Sequence, residues 1–91
     1  MNDLRIERLS FSGNTMSVVF SDERSVAVPL RYFPRLESAT AQREQWKLIG
    51  RGLGVHWEAL DEDLSVENIL SAYSRSKTAE YSSAPQPLRQ V

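Results

Sequence analysis

Three short segments near the start of the chain alternate apolar with polar side chains, and this pattern constrains the fold more than any other feature. They span residues 4–11, 16–20 and 26–30, and short polar stretches with turn-forming residues separate them. A period of two places successive side chains on opposite faces of a β-strand, so each segment predicts a strand with one buried face. Because the connections are short, neighbouring strands run antiparallel. The sequence therefore predicts an antiparallel meander sheet of three or more strands.

Two irregularities in the alternating pattern carry further predictions. The apolar positions slip by one residue between Ile6 and Leu9, which predicts a β-bulge in the first strand. Pro29 cannot donate a hydrogen bond to a neighbouring strand. The third strand is therefore expected to lie at an edge of the sheet or to end there.

The middle of the chain carries signals of short helices followed by short strands. Alternation stops at residues 32–36, where Pro34 suits the first turn of a helix. We expect one or two short helices here, and the hydroxyl of Thr40 could cap the second of them by accepting a bond from a backbone amide. Residues 46–57 combine glycines with apolar residues. That combination predicts two short strands, or one strand interrupted by turns.

The clearest helix of the chain begins at Ser65, which is a favourable N-cap. Val66, Ile69, Leu70 and Tyr73 follow it with the spacing of one apolar stripe on a helix. After this stripe the composition turns to serine, threonine, alanine, glutamine and proline. Residues 74–91 are therefore predicted to be a flexible tail.

A chain of 91 residues has room for one hydrophobic core. We expect a single α+β domain over residues 1–73, with short helices packed on the sheet. The absence of cysteine excludes disulfides, thiolate nucleophiles and cysteine-ligated metals. Neither a signal peptide nor an apolar run of membrane-spanning length is present in this sequence, so we expect no membrane segment and a cytoplasmic location.

The charges nearly cancel overall but are unevenly distributed. A net charge of −1 at pH 7 argues against strong non-specific attraction to nucleic acid or to an anionic membrane. Basic residues predominate between Arg31 and Arg51, whereas residues 58–67 contain five acidic residues and no lysine or arginine. The sequence therefore predicts a polarised surface.

The only histidine and a run of acidic residues are the candidates for chemistry. If the strand alternates, His56 points away from Val55 and Trp57 and is an exposed side chain of no special role. A metal site would have to combine it with carboxylates, because the chain has no cysteine and no second histidine. The acidic run at residues 61–63 is favoured as the complement of a helix N-terminus over a cation site.

Trp46 and Trp57 could stack on bases beside the basic residues. In so small a domain, however, large aromatic side chains are expected to form the core. No catalytic, cofactor-binding or metal-binding residue is predicted, and an enzyme is not favoured. The predicted interaction surface consists of Arg35, Arg43, His56, Trp57, Asp61, Glu62 and Asp63.

Taken together, the middle of the chain resembles a small bacterial family known as domain of unknown function 2442. The resemblance covers about residues 4–73 and is most specific at His56-Trp57 and over residues 60–66. The segments that carry it are Phe20-Ser21-Asp22, residues 32–36, Ala39-Thr40, Arg43, Trp46, Ile49-Gly50, residues 54–57 and residues 60–66. The family tends to have glycine where this chain has Glu23, so the turn there is expected to differ or to be strained.

The resemblance implies a compact α+β unit with an antiparallel sheet and short helices. It also implies membership of small two-gene modules, in which such a chain would be the antitoxin-like half. Some members of the family carry an added DNA-binding helix-turn-helix region. This chain is expected to lack it, so DNA-binding regulation is not carried over.

Three functions therefore remain open from the sequence. The favoured one is a protein-interaction module whose partner is another protein, with a homodimer through the edge strand at residues 26–30 as a further expectation. The second is a nucleic-acid binder using a basic patch of Arg31, Arg35, Arg43, Lys47 and Arg51 with Trp46. The third is an enzyme or metal protein built on His56, Asp61 and Asp63.

Overall fold

The computed structural model describes residues 4–83, and its strands form two antiparallel sheets of three strands each. Each sheet is a meander in which strands that follow one another in sequence are neighbours in space. The first sheet comprises β1 (Ile6–Ser12), β2 (Thr15–Phe20) and β3 (Ser25–Pro29). The second comprises β4 (Lys47–Ile49), β5 (Gly54–Trp57) and β6 (Glu62–Ser65). The predicted α+β class and antiparallel meander are confirmed.

Within residues 4–83, two α-helices and four short 3₁₀ turns connect and cover the sheets. Helix α1 (Pro34–Glu37) follows β3, and α2 (Val66–Ser83) follows β6 and packs against both β3 and β6. The 3₁₀ turns are Leu30–Tyr32, Gln42–Glu44, Gly50–Gly52 and Glu58–Leu60. No helix within residues 4–83 is long and apolar enough to cross a bilayer.

The first sheet agrees in detail with the alternating pattern. Met16, Val18 and Phe20 are buried on one face of β2. The register between β1 and β2 shifts between Ile6 and Arg8, which confirms the predicted bulge. β3 lies at the edge of the sheet, as Pro29 predicts. Burial of one face per strand thus fixes the register of this sheet.

The turn between β2 and β3 shows the strain that the resemblance to the family predicts. Glu23 has a φ of 73°, in the left-handed region that glycine adopts without penalty. The amide of Glu23 donates to the carbonyl of Phe20, and Arg24 is held by the carboxylate of Asp22. These bonds keep the turn closed despite the unfavourable backbone angle.

The predicted second short helix is present, but its predicted cap is wrong. The 3₁₀ turn at Gln42–Glu44 follows Ala41, and no side chain caps it. A backbone bond from the Arg43 amide to the Ala39 carbonyl closes the segment instead. The Glu44 amide likewise donates to the Ala41 carbonyl, so backbone bonds take the place of the Thr40 hydroxyl.

Helix α2 begins as predicted and continues further than predicted. The Ser65 hydroxyl accepts a bond from the Asn68 amide, and the Asn68 side chain accepts one from the Ser65 amide, which is a reciprocal cap. The helix runs to Ser83, well beyond Tyr73, where the apolar stripe ends. Ser76 is buried in this extension. The predicted flexibility of the tail stays a prediction, and residues 84–91 lie outside the described residues.

The core lies between the sheets, α1 and α2, and Trp57 is its largest fully buried side chain. Trp46 is partly buried and packs against the same cluster, which confirms the core positions predicted for both tryptophans. The other fully buried large side chains are Phe20, Met16, Leu30, Leu36, Ile69, Val18, Val28 and Val55. One continuous core therefore joins the two sheets.

At Gly52 the turn after β4 comes close to the start of strand β1. Its φ is 92°, and a Cβ atom there would lie 2.8 Å from the carbonyl oxygen of Ile6 and 3.1 Å from the Cβ of Arg5. We expect Gly52→Ala to lower the free energy of unfolding by about 2–4 kcal/mol, through backbone strain and a backbone clash. Chemical denaturation monitored by circular dichroism measures the loss.

Gly13 is the matched control for this substitution. Its φ is 58°, but a Cβ atom added there would have nothing within 4 Å. Gly13→Ala therefore isolates the backbone term, which is about 1–2 kcal/mol. Equal losses for the two alanine variants would show that the contact between Gly52 and β1 does not constrain the fold.

Candidate functional site

The outer side of the second sheet brings together the predicted candidates that point to solvent. His56 in β5 pairs directly with Asp63 in β6 and with Lys47 in β4, so the three residues form one row across the sheet. Val55 and Trp57 on either side of His56 are buried, which confirms the orientation that alternation predicts. We call this surface the second-sheet face; it consists of Lys47, Ile49, Leu53, His56, Asp63 and Ser65.

His56 lies between two carboxylates. Its Nδ1 is 2.5 Å from Oδ1 of Asp63, and its Nε2 is 3.4 Å from Oε1 of Glu58. The hydrogen bond with Asp63 is the main cause that raises the pKa of His56 above its ordinary value of 6.5, and desolvation of the ring acts in the opposite direction. Protonation of His56 thus strengthens its contacts to both carboxylates.

Asp63→Asn is expected to lower the pKa of His56, because it removes the strongest stabilising partner of the imidazolium. A raised folded-state pKa contributes stability that is fully present below pH 6.5 and is lost as the pH rises through the raised value. Asp63→Asn should therefore flatten the fall in stability above pH 6.5. Proton NMR of the imidazole ring measures the pKa without ambiguity, since His56 is the only histidine.

Glu58→Gln is the matched control. Glu58 is a more distant and more exposed partner of the ring, and its contribution to the raised pKa is smaller than that of Asp63. We expect a smaller fall in the pKa of His56 for this variant. A larger fall for Glu58→Gln than for Asp63→Asn would contradict the assigned geometry.

Arg35 and Glu62 meet on the side of the sheet that faces α1. The Arg35 guanidinium donates to the carbonyl of Leu60 at 2.9 Å and lies 3.7 Å from the carboxylate of Glu62. Glu62 pairs with the buried Trp57 in the neighbouring strand. This pair ties α1 to the start of β6 and is separate from the row containing His56.

The sequence suggests that the acidic run directly precedes a helix, but in the structure a strand lies between them. Glu62 and Asp63 belong to β6, and only Glu67 lies in the first turn of α2. Asp61 is exposed and ends the 3₁₀ turn before β6. Its backbone is in the left-handed region, with a φ of 51°. Pairing with β5 thus outweighs the weak strand propensity of these acidic residues.

Two residues of the predicted interaction surface are inside the protein. Trp57 has no exposed surface, and Arg43 is only 7% exposed. The Arg43 guanidinium donates to the carbonyls of Leu36, Glu37 and Gly13. Both side chains are held by contacts within the fold.

Two large apolar side chains on the second-sheet face are exposed, and sequence analysis missed them. Ile49 is 40% exposed and Leu53 is 50% exposed. A shallow hollow of about 310 Å³ lies beside them. It is bordered by Ile49, Leu53, Gly54, Asp63, Ser65 and Asn68. In the sequence these two residues cannot be told from core residues, because exposed and buried aliphatic side chains carry no different local signal.

The geometry does not supply a metal site. Among residues 4–83, no group of three histidine, cysteine, aspartate or glutamate side chains is placed to hold a metal ion. Asp63 contacts His56, whereas Asp61 makes no ion pair within the described part of the chain. The arrangement of His56 and its carboxylates is a surface hydrogen-bond network.

Comparison with known proteins places this fold in a family. The sequence profile of a family described as protein of unknown function (DUF2442) matches residues 6–74. A search of curated proteins finds no match. The chain is also similar to a protein of unknown function from Rhodospirillum rubrum whose crystal structure is known, with 29% identity and a TM-score of 0.67. That similarity covers 77% of this chain and 88% of the other.

Proposed function

The chain belongs to the family of proteins of unknown function DUF2442, and we propose that it acts as a protein-interaction module through its second-sheet face. The observation that carries the proposal is the pair of exposed apolar side chains, Ile49 and Leu53, beside a hollow with a polar border. Single exposed apolar residues are common on protein surfaces. Two together with a polar rim have the composition of a small interface core.

The local backbone keeps these two side chains at the surface. Ile49 lies over Gly54, where a Cβ atom would come within 3.3 Å of the isoleucine side chain. The carbonyl of Leu53 accepts a bond from the Val66 amide at the start of α2. A rigid apolar contact costs little conformational entropy on binding, because the backbone beneath it is already fixed.

The charges around the apolar pair indicate the chemistry of the partner. Asp63 borders the hollow, and Glu58 lies next to His56 with most of its side chain exposed. We therefore propose a partner protein that places an apolar side chain against Leu53 and a basic group beside Asp63, on the side of His56 away from Lys47. Such charge complementarity favours fast and specific association.

The two-gene arrangement implied by the resemblance suggests which partner to test first. It is the product of the gene next to the one encoding this chain. Within that arrangement, this chain would be the antitoxin-like half.

The geometry supports a protein partner better than nucleic acid. Arg43 is buried, Arg35 is engaged by Leu60 and Glu62, and Arg31 stacks on the ring of Tyr32. The predicted basic patch therefore loses Arg43, and two of its other arginines already have partners within the chain. Nucleic-acid binding would show itself as an affinity that falls steeply with salt.

Leu53→Asp tests the proposal, because it places a charge at the centre of the apolar contact without disturbing the core. We expect the affinity for the neighbouring gene product to fall at least about tenfold, which corresponds to about 1.4 kcal/mol. Isothermal titration calorimetry with purified proteins measures the change.

Ser10→Asp is the matched control, since it adds the same charge to the exposed outer side of the first sheet. Its affinity should equal that of the unchanged chain. The proposal fails if Leu53→Asp binds as tightly as Ser10→Asp, or if the unchanged chain and the neighbouring gene product do not associate at micromolar concentrations.

A further inference from the structure

The outer edge of β3 has backbone groups that point away from the sheet. The Phe20 amide donates to the Arg24 carbonyl and the Leu30 amide donates to the Asn14 carbonyl. Together with the register of β2 and β3, these bonds show that the backbone amides and carbonyls of Val26 and Val28 point towards β2. Ser25, Ala27 and Pro29 therefore direct their backbone groups outward. They offer two amide donors and three carbonyl acceptors, since proline has no amide hydrogen.

The β3 edge is less protected than the other three sheet edges within residues 4–83. Proteins commonly blunt edge strands with charges, bulges or very short length. β1 has a bulge and the charged residues Glu7 and Arg8, β4 has three residues including Lys47, and β6 begins with Glu62 and Asp63. β3 has five residues and no charge, and its pairing is limited by Pro29 and by the packing of α2 against the strand.

A hollow leaves space beside this edge, although α2 packs against β3. A hollow of about 360 Å³ lies between β3 and α2 and includes Ala27, Tyr73, Ser76 and Lys77 in its lining. Ser25 and Ala27 are both exposed. Their side chains are small, so a neighbouring backbone can approach to the normal spacing of strands in a sheet.

We propose that the β3 strands of two copies of this chain pair antiparallel about a two-fold axis at Ala27. In this register each Ala27 amide donates to the carbonyl of the other Ala27. Each Ser25 amide donates to the carbonyl of the other Pro29. Both outward donors of each copy are then satisfied. Of the three outward carbonyls, only that of Ser25 has no donor, because it lies opposite Pro29, and it stays hydrated.

This self-complementarity is the reason for choosing a second copy over a strand of another protein. An isologous pair uses the same surface twice, and here one register satisfies every donor of both edges. The result is a continuous six-stranded sheet made of two first sheets. The second-sheet face of each copy lies on a different sheet and does not take part in this pairing.

Ala27→Cys gives a direct readout, because the chain contains no cysteine. Directly hydrogen-bonded residues of antiparallel strands have Cα atoms about 5.5 Å apart, which is within the range of a disulfide. We expect the full-length variant to form a covalent dimer under mild oxidation.

Ser17→Cys is the matched control, because Ser17 pairs with Ala27 in the interior strand β2. In the proposed dimer the two copies of residue 17 are separated by three strand spacings, or about 14 Å, which no disulfide can span. Cross-linking of Ser17→Cys as fast as Ala27→Cys would overturn the proposal, because it would show random collision.

A second measurement tests the dimer without a cross-link. Sedimentation equilibrium of the unchanged chain from about 1 μM to about 200 μM should show a monomer–dimer equilibrium. Ala27→Asp places two like charges opposite each other and should weaken the dimer at least about tenfold, whereas Ser17→Asp should not. Circular dichroism establishes that both variants are folded.

The proposal is overturned if the unchanged chain is monomeric over this whole range. It is also overturned if Ala27→Asp leaves a dimer as stable as that of Ser17→Asp, which would place the contact elsewhere.

Discussion

Replacing Trp57 with alanine is expected to lower the free energy of unfolding by about 3–5 kcal/mol, the typical cost of removing a fully buried tryptophan. Trp57 has no exposed surface and joins the second sheet to the core. Its indole N–H donates to the Arg43 carbonyl at 2.9 Å. The substitution therefore creates a cavity and also leaves a buried carbonyl without its donor. Since small domains are stable by only about 5–15 kcal/mol, this loss is a large fraction of the total stability.

Urea denaturation followed by circular dichroism measures this loss. Trp57→Phe keeps much of the apolar volume but removes the hydrogen bond, so its loss should be smaller. Trp46→Ala is the control, because Trp46 is only partly buried against the same core. Equal losses for Trp57→Ala and Trp46→Ala would show that Trp57 is not the centre of the core.

Arg43→Ala is expected to cost about 3 kcal/mol, because hydrogen bonds to a charged group contribute about 1.5–3 kcal/mol each and are not additive. The guanidinium donates to the carbonyls of Gly13, Leu36 and Glu37, and it lies over the ring of Phe11. It thereby joins the β1–β2 turn to the segment after α1. Alanine would leave these carbonyls without donors in a partly buried position.

Arg43→Lys separates charge from geometry. Lysine keeps the positive charge but lacks the planar fork that reaches several carbonyls at once, so it should recover only part of the stability. Arg35→Ala is the control, since Arg35 is exposed. Thermal unfolding of the three variants would contradict the assigned role if Arg43→Ala and Arg35→Ala lost similar amounts.

The first sheet can be predicted from the sequence because burial of one face makes apolar and polar residues alternate along each strand. The slip between Ile6 and Leu9 even locates the bulge. β6 leaves no such mark, since it has four residues and Leu64 is its only apolar side chain. It is a strand because β5 pairs with it, which is a tertiary effect that outweighs local propensity.

The candidate site can be predicted only in part, for a similar reason. Alternation indicates the outward direction of His56, but its contact with Asp63 depends on the register of β5 and β6. The sequence places Arg43 on a basic surface, because its partner Gly13 is far away along the chain and leaves no local signal. The exposure of Ile49 and Leu53 also has no local signal, since exposed and buried aliphatic residues look the same in sequence.

Chemical-shift mapping tests the central claim, that the second-sheet face binds a partner protein. The isotope-labelled chain would be titrated with the product of the neighbouring gene, and the backbone amide shifts compared before and after binding. We predict the largest changes at Ile49, Leu53 and His56, with little change at Ser10 and Ser17 on the outer side of the first sheet. Largest changes on the first sheet, or no changes at saturating micromolar partner, would contradict this claim.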